Sequence, residues 1–187
     1  MWWPEQRSGG NRFARLAATL AVAACAGGCF QPLYADRSVD GGPGLRNALG
    51  AVDVKQINVS KSGDARLAVE IRNALLFDLT GGGAGARPAY SLTITMGSTV
   101  ADIIVDTTTT RPAIEDYGIN ASYVLTEIAS GKSVVTGQTF ARVSYDIPGQ
   151  EQRFARMRGL RDAETRAAKV IADNIRARLA SYFAAGT

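Results

Sequence analysis

Histidine is missing from the 187-residue chain, and only two cysteines are present. Without His there can be no Ser-His-Asp or Cys-His nucleophile system and no His-ligated zinc. Two Cys cannot build a Cys-rich metal centre or a multi-disulfide scaffold. Aromatic residues are sparse at 7%, and no apolar run approaches the roughly 20 residues needed to span a bilayer as a helix. The excess of positive charge is also small, 21 Lys+Arg against 17 Asp+Glu, so a dedicated nucleic-acid binder is not indicated. What remains is 46% hydrophobic and 20% charged, the balance of a globular domain.

The first residues differ from the rest. Arg7, Arg12 and Arg15 precede a small, apolar run from Leu16 to Ala26, followed by Gly27-Gly28-Cys29. A basic segment, a short apolar core and small residues at a cleavage point describe an export signal. Small residues directly before a Cys point to a lipoprotein signal, whose Cys is acylated and becomes the new N-terminus. Cys25 is a rival, but cleavage there leaves only Leu16 to Ala24 as apolar core, so Cys29 is preferred. Residues 1–28 then form the signal peptide, and its removal lowers the net charge from +4 to +2. Two or more acyl chains make a stable anchor, so the body sits on a membrane without crossing it. Phe30 follows the Cys where inner-membrane retention typically uses Asp, which favours the outer membrane.

Residues 29–50 are rich in Pro and Gly and read as an irregular, lipid-anchored tether. The domain proper spans 51–187. Val and Ile among polar residues make Asp53–Val59 a first strand. Ser62-Gly63-Asp64 offers N-cap side chains, and Leu67, Ile71, Ala74, Leu75 and Leu79 follow at helical spacing up to the Gly81–Gly83 stop. Tyr90, Leu92, Ile94 and Met96 then alternate with Ser and Thr, and the strand continues past Gly97 to Val105. Residues 107–118 read as a loop or hairpin end. Ala121–Ile128 and Ser133–Tyr145 are two further strands joined by a turn at Ser130-Gly131-Lys132. A last helix carries an apolar stripe of Phe154, Met157, Leu160, Ala163, Ala167, Val170, Ile171, Ile175, Leu179 and Tyr182. The order β-α-β-β-β-α predicts an α+β two-layer sandwich, a mostly antiparallel four-stranded sheet covered by two helices.

Chemistry is weakly marked. Gly131-Lys132-Ser133 resembles the end of a phosphate loop but joins two strands rather than opening a helix. Asp102 with Asp106, and Glu115 with Asp116, read as solvated carboxylates rather than acid/base pairs. No catalytic residue, metal ligand or cofactor site is expected, apart from the covalent lipid on Cys29. Charge is concentrated late: residues 150–187 hold eight basic and four acidic residues. The cluster Arg153, Arg156, Arg158 and Arg161 suits an anionic target, lipid phosphate rather than nucleic acid.

Cys29-Phe-Gln-Pro-Leu-Tyr34 resembles the start of the mature lipopolysaccharide-assembly lipoproteins of the LptE family, alphaproteobacterial type, without the Gly those carry after the Cys. Ser144-Tyr-Asp146 and Arg161-Asp-Ala-Glu-Thr-Arg-Ala-Ala168 resemble the family's last strand and final helix. The resemblance implies an outer-membrane lipoprotein that is not an enzyme. It would plug the LptD β-barrel, assist its assembly and take part in lipopolysaccharide transport to the outer leaflet. Its implied partners are LptD, lipopolysaccharide and the membrane through the acyl anchor, with no nucleic acid. By position, it also implies that Arg111, Arg153 and Arg156 bind lipopolysaccharide. The alternative is a lipid-anchored auxiliary subunit of an ABC-type envelope transporter.

Overall fold

The chain order of the computed structural model is helix α1 (Leu45–Gly50), strands β1 (Val52–Val54) and β2 (Asn58–Val59), and a 3-10 turn at Ser62–Asp64. Helix α2 (Ala65–Thr80), strands β3 (Tyr90–Asp106), β4 (Arg111–Glu127) and β5 (Ser133–Asp146), and helix α3 (Arg153–Ala184) complete it. The structure describes residues 44–106, 111–147 and 153–185, all within the unit Asp36–Thr187. Cys25, Cys29 and the signal peptide lie outside the described residues.

One five-stranded sheet runs β1-β3-β4-β5, with β2 continuing the β1 edge along β3. The three long strands are antiparallel neighbours, while β1 and β2 run parallel to β3. That is the expected α+β two-layer sandwich, with one difference at the edge. The single strand expected over Asp53–Val59 is two short ones, because the edge carries an extra residue. Four steps from Val54 to Asn58 face only three from Leu92 to Thr95. The irregularity turns Ile57 inward beside Val52 and Val54, all three buried. A strict two-residue alternation could not do this.

Both long helices lie on one sheet face. Helix α3 packs over β4 and β5, α2 packs toward the β1/β2 edge, and the two helices touch each other. The expected stripe of α2 is buried at Leu67, Ile71, Leu75 and Leu79. Gly81 ends the helix in the left-handed conformation (φ 66°), which only Gly adopts without cost. The core side of α3 is Ala163, Ala167, Ala168, Ile171, Ala172, Ile175 and Leu179. Its alanines keep the helix close to β4 and β5, in one core with Leu92, Ile94, Met96, Ile119 and Leu125. Wide, close-packed burial of this kind is the main source of folding stability.

Three local expectations are corrected. The tether does not extend to Gly50, because Leu45–Gly50 is helical and buries Leu45 and Leu49 in the common core. Burying two leucines four residues apart outweighs the Gly-rich context. The Asp64 side chain does not cap α2. It is buried and accepts hydrogen bonds from the Ser98 amide (3.1 Å) and hydroxyl (2.6 Å) instead. The stripe of α3 holds from Leu160 onward except at Val170, since Phe154, Met157 and Val170 project away from the core.

Strand β4 begins at Arg111, so of the two readings of residues 107–118 the hairpin end holds for 111–118, and 107–110 lie outside the described residues. Its pairing with β3 continues from Gly118 to Arg111, through bulges beyond Asp102. Pro112 stands near the strand's start, where a missing amide is tolerated. The turn at Ser130–Lys132 is present, with Gly131 at φ 69°.

Candidate functional site

Two features rise above the packed core: a buried carboxylate beneath the start of α3, and the sheet face that the helices leave uncovered.

Alternation along β4 sends Glu115 to the helix side and Asp116 to the other. Glu115 is buried, only 4% exposed, and accepts from two partners. The Tyr145 hydroxyl, directly across on β5, donates to Oε2. Nη2 of Arg156, from the first turn of α3, donates to Oε1 at 2.8 Å. A buried carboxylate is tolerated only when hydrogen-bonded and charge-matched, and here both oxygens are engaged. The Tyr145 phenol is held well above its ordinary range, first by burial and then by its hydrogen bond to Glu115 and that group's charge. Neighbouring α3 acids are engaged as well: Glu164 with Arg66 of α2, and Asp162 with Arg166 at 2.7 Å.

Glu115, read as solvated from sequence, is therefore an internal anchor for α3, and Asp116 accepts instead from Ser144 on the open face. The two do not form an acid/base pair. The reason is the strand period, which places consecutive carboxylates on opposite faces.

The three arginines expected to meet lipopolysaccharide stand at one end of the chain's long elements. Arg111 opens β4, paired in register with Asp106, and Arg153 opens α3. Their side chains lie outside the described residues. Arg156 is the one whose contacts are visible, and its first partner is Glu115. Its side chain remains 54% exposed, so part of the guanidinium still meets solvent.

The opposite sheet face is polar. Thr93, Thr95 and Thr99 of β3, Asn120, Ser122 and Thr126 of β4, and Thr136, Gln138 and Ser144 of β5 share it by alternation and register. No described helix covers it. Across its middle lies a shallow hollow of about 480 Å³, bounded by Ser60 and Lys61 at the β2 edge and by Gln138 and Phe140 on β5. Gly97 forms part of the floor, and a Cβ there would come within 3.2 Å of Ser60 Oγ. Phe140 is 68% exposed, an isolated apolar side chain among hydroxyls and amides. Nothing in the composition singles out this face, but the Ser/Thr positions alternating with Leu92, Ile94 and Met96 already carry it.

Among the described residues no cluster of His, Cys, Asp or Glu could hold a metal, and no helix is long and apolar enough to cross a membrane.

Solved structures share this arrangement. A Caulobacter crescentus protein described as a lipoprotein superposes with a TM-score of 0.57 at 21% identity, covering 77% of this chain and 98% of its own. A Xanthomonas campestris protein of the DUF330 family superposes with a TM-score of 0.50 at 10% identity, over 70% of this chain and 83% of its own. The rare lipoprotein B of Shewanella oneidensis reaches 0.47 at 16% identity, over 68% and 95%. At these identities the first two likenesses establish a common fold and nothing more. No family model matches the chain, and no curated protein matches it in sequence.

Proposed function

We propose that this protein is an outer-membrane lipoprotein, held on the periplasmic side by acyl chains on Cys29. In this reading it plugs the LptD β-barrel, assists its assembly and takes part in moving lipopolysaccharide to the outer leaflet. The observation that carries the proposal is the uncovered sheet face. A complete hydrophobic core lies on one side of the sheet, and a broad surface of hydroxyl and amide side chains lies on the other. A barrel lumen is polar and water-lined, so a plug can meet it with such a surface and need not expose an apolar patch. The lipoprotein-like leader, the LptE-like start at Cys29 and a fold shared with one protein described as a lipoprotein support the same reading.

No catalytic constellation is needed for this role, and no cofactor beyond the covalent lipid. Arg111 and Arg153 would face lipid A phosphates, where a guanidinium forms charge-assisted, often bidentate hydrogen bonds. Arg156 would contribute the part of its guanidinium that Glu115 leaves free. Purification of the lipidated protein in mild detergent should recover a large β-barrel. Recovery of an inner-membrane ABC transporter in its place would replace this reading with the auxiliary-subunit one.

A further inference from the structure

We infer that the outward face of α3 from Phe154 to Arg161 docks on the surface of an anionic phospholipid bilayer. Phe154, Met157, Arg158 and Arg161 follow one another at intervals of three, one and three residues, which sets them on a single side of the helix. That side points away from the sheet: Phe154 is 83% exposed and Met157 60%. Two large apolar side chains left in water within one turn have no structural purpose in the core, where Leu160 and Ala163 take the inward positions. A second element brings more apolar surface to the same end of the sheet. Val100 and Ile103 of β3 are exposed there, and Asp102 between them is the register partner of Glu115, which Arg156 holds.

The charges define what the face fits. Each described acid near these turns is already engaged: Glu115 with Arg156, Asp162 with Arg166, and Glu164 with Arg66. Neither Arg158 nor Arg161 makes an ion pair with a described residue. The other acids at this end whose side chains are described, Asp102, Asp116 and Asp146, belong to the strands, and Asp116 and Asp146 point by alternation to the uncovered face. An outward surface of Phe and Met flanked by guanidiniums that no described acid pairs is complementary to a bilayer interface. The apolar tips enter the headgroup and acyl boundary, and the arginines meet lipid phosphates. A wholly aqueous target would leave Phe154 and Met157 uncovered. The inference borrows from the proposed function only the acyl anchor that brings the domain to a membrane, and it does not need the barrel.

Sedimentation with vesicles tests it, using the full chain carrying Cys29→Ser so that no acyl chain contributes. Vesicles of phosphatidylcholine alone are compared with vesicles containing phosphatidylglycerol. Leader and tether are common to every variant, so differences report α3. Phe154→Ser with Met157→Ser should weaken binding to the anionic vesicles about tenfold, and Arg158→Gln with Arg161→Gln should remove most of the preference for phosphatidylglycerol. Phe140→Ser, an equally exposed change on the sheet, should alter neither. All these side chains are exposed, so melting temperatures should match the parent. Parental binding by either double variant, equal loss with Phe140→Ser, or no binding by the parent overturns the inference. Capture of the barrel is measured on the lipidated protein. Its failure with vesicle binding intact would remove the plug and leave the docking face.

Discussion

At Glu115 the fold stores one of its few buried charges, and its two partners make different demands. Arg156→Ala leaves the carboxylate facing an uncompensated site, with a cost tempered by the half-exposed guanidinium, about 1–2 kcal/mol in chemical denaturation. Lipopolysaccharide binding by Arg111→Ala with Arg153→Ala is the cleaner test of the phosphate-binding site, because Arg156 mixes binding with packing. Tyr145 governs the alkaline limit. Its folded phenol ionises above the ordinary value of 10.0, so its contribution is fully present below about pH 10 and is lost as pH rises further. Tyr145→Phe should lower stability at neutral pH by about 1–2 kcal/mol and reduce the loss above pH 10. A slope unchanged from the parent would show that other phenols dominate; Tyr90, Tyr117 and Tyr123 are raised too, each chiefly by burial.

Elements differ in how openly their residues announce them. The two-residue alternation of β3 and the leucine stripe of α2 are legible because burial on one face imposes the period directly. Helix α1 is not, since six residues in a Pro/Gly-rich stretch carry too little pattern and become helical only on contact with α2 and α3. Leu49→Ala should cost about 2–5 kcal/mol if α1 is part of the core, and almost nothing if it were a tether. Ile175→Ala, in the middle of α3, should cost a similar amount, while Lys169→Ala on the exposed side of the same helix should stay within about 0.5 kcal/mol. Differential scanning calorimetry on the three variants separates core from surface. At Gly137 a new methyl would lie 2.5 Å from the Tyr123 hydroxyl, and Tyr123 is buried, so Gly137→Ala should destabilise by about 1–3 kcal/mol.

For the whole molecule the decisive question is which surface meets which partner. The helix layer is consumed by the core, leaving the polar sheet face and the end where Arg111, Arg153 and the outward turns of α3 gather. If the sheet face lies against a barrel wall, replacing Asn120 and Ser122 with Trp should abolish barrel capture while the melting temperature stays near the parent's. Both residues project away from the core, so the added bulk acts on the interface alone. Capture unaffected by both substitutions would move the contact to another surface. If Cys29 carries the acyl anchor, the parent protein should resist high-salt washing of the membrane fraction and Cys29→Ser should be released by it, because an acyl anchor holds more firmly than an exposed helix face.

The amino-acid order by itself determined the alternation of sheet and helix, the hairpin at Gly131 and the stop at Gly81. Each is written in local periods or in single residues with narrow conformational roles. Tertiary structure alone decided the rest. Only the register between β4 and β5 shows that Glu115 meets Tyr145, residues thirty positions apart. Only the docking of α3 shows that Arg156 belongs to that carboxylate and that Phe154 and Met157 do not belong to the core. A helix repeats its pattern every 3.6 residues whatever lies beside it, so the turn at which the sheet ceases to face it leaves no trace in the sequence.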